Sequence, residues 1–438
     1  MHEPTFVGRV SQVSSVDVHV KLEWGASAIQ EGDTLYVPTG LSGSGQPTGV
    51  GLRAITSRDG TLFSLPIDDP VDISLGAPVF SLGPRDIHLY PGRIVDALGR
   101  HLRAGRSPTP TLSTHPRHHP WRVTGWGRWH KTGIKVIDVL APLPEASRIG
   151  IIERRLLGAL VVRTEIAMRF IQSGGDVIWC SLGISSERAC ALRNELNDTP
   201  ELHGVHGFVS TLADPPGAVL ECAWAAISAA EALAETGQRK VLLVLDGVET
   251  LDRLDESIHR PRGQTVETIR QRLWGQSNLH SLLYEYIVSV GEGVLGSTDH
   301  LEAALWFTDQ RASAGLYPTV DISRSSSRVL ASDFVSTEHR GVAKQLRDLD
   351  LAVQQAQRGF GDISQQLISR HRKASRYLTQ PFYVAAPFTG MPGSHVSDER
   401  AVADLQTLLT QDVQISEQAL YMIGNLDDAR IKDSQWRK

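Results

Sequence analysis

The sequence predicts a multidomain α/β protein: a small β-barrel at the N-terminus, a central parallel sheet with helices on both faces, and a C-terminal helical domain. Three observations carry that expectation. Short β-branched runs separated by Gly, Asp, Pro and Ser clusters fill residues 1–85. Strand-like and helix-like apolar patterns alternate beyond residue 132, and after about residue 335 only the helical period remains. At 438 residues the chain exceeds what one hydrophobic core usually organises, so the segments are assigned as domains at 1–85, 86–335 and 336–438.

In the first segment the runs Phe6 to Val10, Val16 to Val20, Thr34 to Val37, Gly51 to Ile55 and Leu62 to Leu65 recur at the spacing of a small antiparallel barrel. Residues 101–132 are rich in Pro, His, Arg and Trp without a period and read as a long surface connection. Strand-like runs follow at Val136 to Leu140, Arg148 to Ile152, Asp176 to Ser181 and Val241 to Asp246. Between them lie helical patterns at Val161 to Phe170, Glu187 to Leu196 and Ala218 to Glu235. Such alternation means a parallel sheet with ligands at the carboxyl ends of its strands. The closing helices are expected at Glu338 to Ala356, Gln365 to Thr379 and Ser397 to Leu409.

Composition narrows the function classes. Hydrophobic content of 41% and charged content of 21% describe an ordinary globular chain, and a net charge of −5 offers no general polyanion-binding surface, which argues against nucleic acid as a partner. Cys180, Cys190 and Cys222 lack CxxC spacing and are expected as reduced thiols. The opening Met-His-Glu-Pro lacks the features of a secretory signal. The apolar run Ala218 to Ala234 carries Glu221 and Glu231 and is expected as a buried helix, leaving membrane association to partners and a cytoplasmic location as the expectation.

The stretch Arg148 to Met168 sits where a strand should hand over to a helix through a glycine-rich phosphate loop. Such a loop needs glycines so that successive backbone N–H groups face the anion, a lysine for the outer phosphates and a Ser/Thr hydroxyl for magnesium. The eight positions here are Glu153, Arg154, Arg155, Leu156, Leu157, Gly158, Ala159 and Leu160.

Over nearly its whole length the chain resembles the beta subunit of F-type ATP synthases, the catalytic subunit of the rotary ATPase ring, which implies a RecA-like central domain. Gly92-Arg-Ile-Val-Asp-Ala-Leu-Gly-Arg100 and Thr132-Gly-Ile-Lys-Val-Ile-Asp-Val-Leu-Ala-Pro142 match the family's entry to its nucleotide-binding domain. Asp214-Pro-Pro-Gly-Ala218 is similar to its Glu-Pro-Pro-Gly-Ala segment, and His300 to Leu330 aligns with its Gly-Ile-Tyr-Pro-Ala-Val-Asp block. Gln380 to Gly393 and Gln418 to Gly424 resemble the beta subunit rather than the alpha subunit or the flagellar export ATPases.

By this resemblance the family's phosphate-binding lysine falls on Ala159 and its magnesium-binding threonine on Leu160. Its Gly-Glu-Arg signature falls on Gly183, Ile184 and Ser185, a further arginine falls on Thr250, and the Tyr-Gln-Pro-Thr segment has no counterpart between Leu273 and Ser277. Phosphoryl transfer rests on positioning and on charge placed around the moving group, so these losses bear on mechanism. Asp246 remains near the metal position, as a relic of that site or as a solvated or hydrogen-bonded strand-end carboxylate. Tyr317 and Phe388 occupy the family's purine-stacking positions, as a weak adenine-nucleotide crevice or as two aromatics filling a closed one. The acidic rotor-facing loop appears as Gly361-Asp-Ile-Ser-Gln-Gln366, nearly uncharged.

Two further features have plainer readings. His115, His118, His119 and His130 lack ligand spacing and are expected on a solvated loop without metal, and Arg370, Arg372, Lys373 and Arg376 form a basic helical face expected in solvent. The expected function is that of a pseudo-ATPase: a non-catalytic, structural or regulatory member of an F-type rotary ATPase-like ring, with an alpha-type subunit and the rotor shaft as partners and no firm cofactor. The competing expectation is a working beta subunit of a proton- or sodium-translocating ATP synthase with an unorthodox phosphate site. A nucleic-acid translocase is disfavoured by the acidic balance.

Overall fold

The computed structural model describes residues 4–23, 29–41, 47–83, 86–88, 93–95, 111–113, 129–145, 147–153, 157–235, 239–258, 265, 282–288 and 301–436. Contacts divide the chain into two compact units. One comprises Met1–Thr124 and Gly174–His280, the other Gly125–Ser173 and Ser281–Lys438.

The first unit opens with β1 (Thr5–Val13), β2 (Val18–Leu22), β3 (Thr34–Leu41), β4 (Pro47–Arg58), β5 (Thr61–Pro66) and β6 (Pro78–Gly83), which close into an antiparallel barrel in the order β1-β2-β5-β4-β3-β6. Period-two alternation turns Val18 and Val20, Leu35 and Val37, and Val50, Leu52 and Ala54 inward to form its core. Strand β6 was not legible as a strand: Val79 is its one fully buried residue, yet it pairs with both β1 and β3 and so closes the barrel.

Strands β7 (Asp86–His88) and β9 (Thr111–Ser113) pair antiparallel, and β8 (Arg93–Val95) lies beside a parallel sheet. That sheet runs β15 (Val241–Asp246), β13 (Asp176–Ile184), β14 (Val205–Thr211), β8. Helix α3 (Ser186–Asp198) follows β13, α4 (Pro216–Glu235) lies against β13, β14 and β15, and α5 (Glu249–Ser257) follows β15. Helix α4 is long and apolar enough to cross a membrane, but most of that stretch is buried inside the unit. Its Glu221 pairs there with Arg53 of β4. Cys180 and Cys222 are buried free thiols 3.9 Å apart, and Cys190 is exposed.

In the second unit β10 (Trp129–His130) pairs with β11 (Leu143–Pro144). Strand β12 (Arg148–Glu153) is flanked in parallel by β16 (Leu282–Val288) and β17 (Ala303–Trp306), while β18 (Ser326–Ser327) joins β17 antiparallel. The sheet of this unit is therefore mixed rather than wholly parallel. Residues 135–140, read as a strand, form helix α1 (Lys135–Leu140). Every residue of α1 is buried, which erases the amphipathic signature that separates the two readings.

Helix α2 (Ala159–Gln172) follows β12. The later helices are α6 (Asp309–Ser313), α7 (Thr337–Gln357), α8 (Gln365–Tyr377), α9 (Ala386–Thr389), α10 (Asp398–Thr410) and α11 (Leu426–Trp436). Ser336, Ser364 and Ser397 cap α7, α8 and α10 by accepting from the amides of His339, Leu367 and Arg400. Of the basic residues on α8, Arg370 and Lys373 are not simply solvated: they donate to the carbonyls of Thr410, the last residue of α10, and of Val413 beyond it. His130 stacks edge-on against Phe170, whereas His115, His118 and His119 lie outside the described residues.

Candidate functional site

The turn between β12 and α2 is the position of the expected phosphate loop. Arg154, Arg155 and Leu156 lie outside the described residues. Gly158 stands immediately before α2 with φ +97°, a left-handed conformation that requires glycine. The neighbouring amides are already engaged by an internal anion. Oε2 of the buried Glu153 accepts from the N–H of Leu157 at 3.0 Å and of Ala159 at 3.3 Å, and the Leu157 carbonyl accepts from Thr319 Oγ1 at 2.7 Å. Glu153 is the final residue of β12, so strand geometry aims its side chain at the start of the helix. Sequence reading noted the missing lysine and threonine but not this contact. The available signal was an acidic residue where the loop's first glycine belongs.

In the other unit, Asp246 ends β15 and is 5% exposed. It accepts from Ser181 Oγ at 3.4 Å, across the β13–β15 register, and pairs with Arg188 at 3.5 Å. Arg188 lies in the first turn of α3, which Ser185 caps by accepting the Arg188 amide. A cation thus faces the carboxylate from a position that sequence reading passed over. Gly183, at φ +61°, has Thr250 so close that an added Cβ would lie 2.8 Å from Thr250 Cγ2. The small Thr250 and the bare Gly183 therefore pack into one another. Among the described residues no group of three or more metal-ligating side chains is assembled.

The two aromatic residues lie in the second unit and neither is enclosed: Tyr317 is 45% exposed and Phe388 90%. Tyr317 precedes a cis proline and its carbonyl accepts from the Gln380 amide at 3.2 Å.

Gln380 joins two segments that are distant in sequence, residues 133–135 and residue 394. Its Oε1 accepts from the Lys135 amide at 2.8 Å, and its Nε2 donates to Gly133 O at 2.8 Å and Ser394 O at 2.7 Å. Arg169 reinforces the junction from α2, donating to Thr132 O and Ser394 O while paired with Glu165. Beneath it, Lys135 is completely buried, donates to Ile423 O at 2.8 Å and sits 4.1 Å from the Tyr377 ring centre. Burial lowers its pKa to about 7 despite the fields of Asp404 and Asp428. Burial likewise raises Asp138 to about 7, although Thr132 and Gly133 hydrogen-bond its carboxylate.

Comparison with known proteins agrees with this framework. The family described as ATP synthase alpha/beta family, nucleotide-binding domain, matches residues 133–259. The ATP synthase subunit beta of Acaryochloris marina is 30% identical over 333 residues, which is 69% of this chain and 73% of the relative. ATP synthase subunit beta 1 of Marinomonas sp. is 28% identical over 70% of this chain and 68% of its own length, and that of Psychromonas ingrahamii 29% identical over 69% and 68%. With the barrel, the strand–helix alternation and this extent of identity together, the chain belongs to the ATP synthase beta-subunit family, as a divergent member.

Proposed function

We propose that this chain is a non-catalytic, beta-like member of an F-type rotary ATPase-like ring, structural or regulatory in role, whose nucleotide-binding positions have been taken over by its own side chains. The observation that carries this reading is the Glu153 carboxylate seated on the Leu157 and Ala159 amides. A buried carboxylate holding those N–H groups excludes a phosphate by charge and by volume. With Ala159 and Leu160 where a lysine and a hydroxyl are needed, the loop does not fit a magnesium–nucleotide complex, and the Walker A function is lost. Independently, Arg188 supplies to Asp246 the positive charge that a metal ion would supply. Ile184 and Thr250 offer neither a water-orienting carboxylate nor a cation.

In this proposal the domains divide as 1–85, 86–335 and 336–438, with a RecA-like central domain and a helical C-terminal one. Tyr317 and Phe388 form at most a weak purine platform, since stacking contributes roughly 1–3 kcal/mol per base, and Asp246 is a relic of the metal site. Partners are an alpha-type subunit and, through the ring, the rotor shaft. The chain is cytoplasmic, meets the membrane only through such an assembly and binds no nucleic acid. The second reading, a working beta subunit with an unorthodox phosphate site, is favoured by the retained Asp246 and by the names of the relatives.

Calorimetry with magnesium-ATP and a hydrolysis assay, on the chain alone and with an alpha-type subunit, separate the two. The proposal expects weak or no binding and no turnover; tight binding with turnover establishes the second reading.

A further inference from the structure

The second unit contains a cavity of about 400 Å³ bordered by α6, α7 and α8 and by Glu417 after α10. Arg311 of α6 borders it and is 7% exposed, yet Nε and Nη2 of its guanidinium are buried without a hydrogen-bond partner. A buried cation in that condition is costly, and native structures rarely leave one so. Burial lowers the Arg311 pKa to about 10 even with Asp350 and Asp321 nearby.

Three carboxylates line the cavity, Asp321, Asp350 and Glu417, and the two whose fields reach Arg311, Asp350 and Asp321, hydrogen-bond other groups. Asp350 binds His371 Nε2 through Oδ1 at 2.8 Å and accepts from Gln354 Nε2 through Oδ2 at 2.8 Å. Asp321 Oδ1 accepts from Ser323 N, Ser323 Oγ and Arg324 N between 2.8 and 2.9 Å. Arg372 and Arg376 also line the cavity, so three guanidinium groups and His371 stand beside the three carboxylates, with Arg311 the cation whose buried nitrogens lack a partner, while Leu316, Ile322 and Val353 supply an apolar wall. The volume is that of a small-molecule pocket.

We propose that this cavity binds a small organic anion, with a carboxylate or phosphate headgroup on the Arg311 guanidinium and a short apolar body against Leu316 and Val353. Guanidinium groups pair with either headgroup in the same forked geometry. The site is separate from the β12–α2 loop, and its occupancy does not depend on whether that loop binds nucleotide.

The test is isothermal titration of the full chain with inorganic phosphate and with glutarate, in wild type and in Arg311→Met. Methionine keeps the buried volume and removes the unpaired charge, so the variant is expected to fold with unchanged or raised thermal stability. Arg311→Lys retains charge without the fork and serves as a second variant should the first not fold. At least one anion is expected to bind wild type, to raise its Tm, and to bind either variant tenfold or more weakly. No binding of either anion, or binding equally tight in the variants, would overturn the proposal. Preference between phosphate and glutarate identifies the headgroup.

Discussion

Glu153 has two separable jobs, which make it the most informative single residue to change. Its removal by Glu153→Ala leaves the N–H groups of Leu157 and Ala159 without their acceptor, and should cost about 1–3 kcal/mol in a urea titration, the range for an orphaned buried donor. In a second variant, Glu153→Gly combined with Leu156→Gly, Ala159→Lys and Leu160→Thr, magnesium-ATP should bind more tightly than to wild type by calorimetry. Hydrolysis should still be undetectable, because Ile184 and Thr250 are unchanged; measurable turnover would contradict that expectation. Lys135 gives a pH signature. Burial holds its folded pKa near 7, against 10.5 ordinarily, so between those values the unfolded chain carries the extra proton and stability should rise with pH. Asp138, raised by burial from 3.8 to about 7, acts oppositely in the lower window, its contribution being lost as pH rises toward 7. The stability of wild type relative to Lys135→Met should therefore increase from pH 7 to 10, and a flat difference would remove Lys135 as the cause. Of these residues, sequence reveals identity but not partnership. The absence of a loop lysine is plain in the chain, whereas an anion already seated there exists only once β12 and α2 meet.

The junction of β5 and α4 tests how elements are fitted. Gly217 sits at the start of α4, where an added Cβ would lie 2.4 Å from Pro66 O, a backbone atom unable to step aside. Gly217→Ala should destabilise by about 1–3 kcal/mol or more, as overpacking does, measured by thermal or urea unfolding; a neutral result would contradict the close approach. The motif Asp214-Pro-Pro-Gly-Ala218 thereby gains a physical reason. Proline and glycine let the chain enter the helix tightly against the barrel, and Asp214 closes the turn by accepting from the Thr211 amide at 2.6 Å. Nearby, Arg53→Ala would strand Glu221 in the interior, at a cost of about 3–5 kcal/mol. Elements with one buried face were legible from period alone: five of the six barrel strands and the serine-capped helices α7, α8 and α10. Elements buried on every side have no period, so length had to decide: the short runs β12, β13 and β15 and the long run α4 were read as the elements they are, and the six-residue α1 was not. Helix α1 was misread as a strand, and β6 and α11 were passed over because neither shows a clear apolar period.

At the scale of the whole molecule, what this divergent beta-family chain retains and what it has changed fall into different places. The segments around Gln380, Lys135 and Arg169 are tied together by hydrogen bonds, whereas the positions that the resemblance assigns to chemistry carry Glu153, Ala159, Leu160, Ile184 and Thr250. A framework kept while these positions differ is what the proposed structural role expects. Native mass spectrometry of the isolated assembly should then find this chain beside an alpha-type subunit; a lone monomer in every preparation would argue against ring membership. The most direct measurement is steady-state ATP hydrolysis by the purified chain reconstituted with an alpha-type subunit lacking activity of its own. Phosphate release at background rate is the predicted result, and sustained turnover in the ordinary enzymatic range of roughly 1–1,000 per second would contradict it.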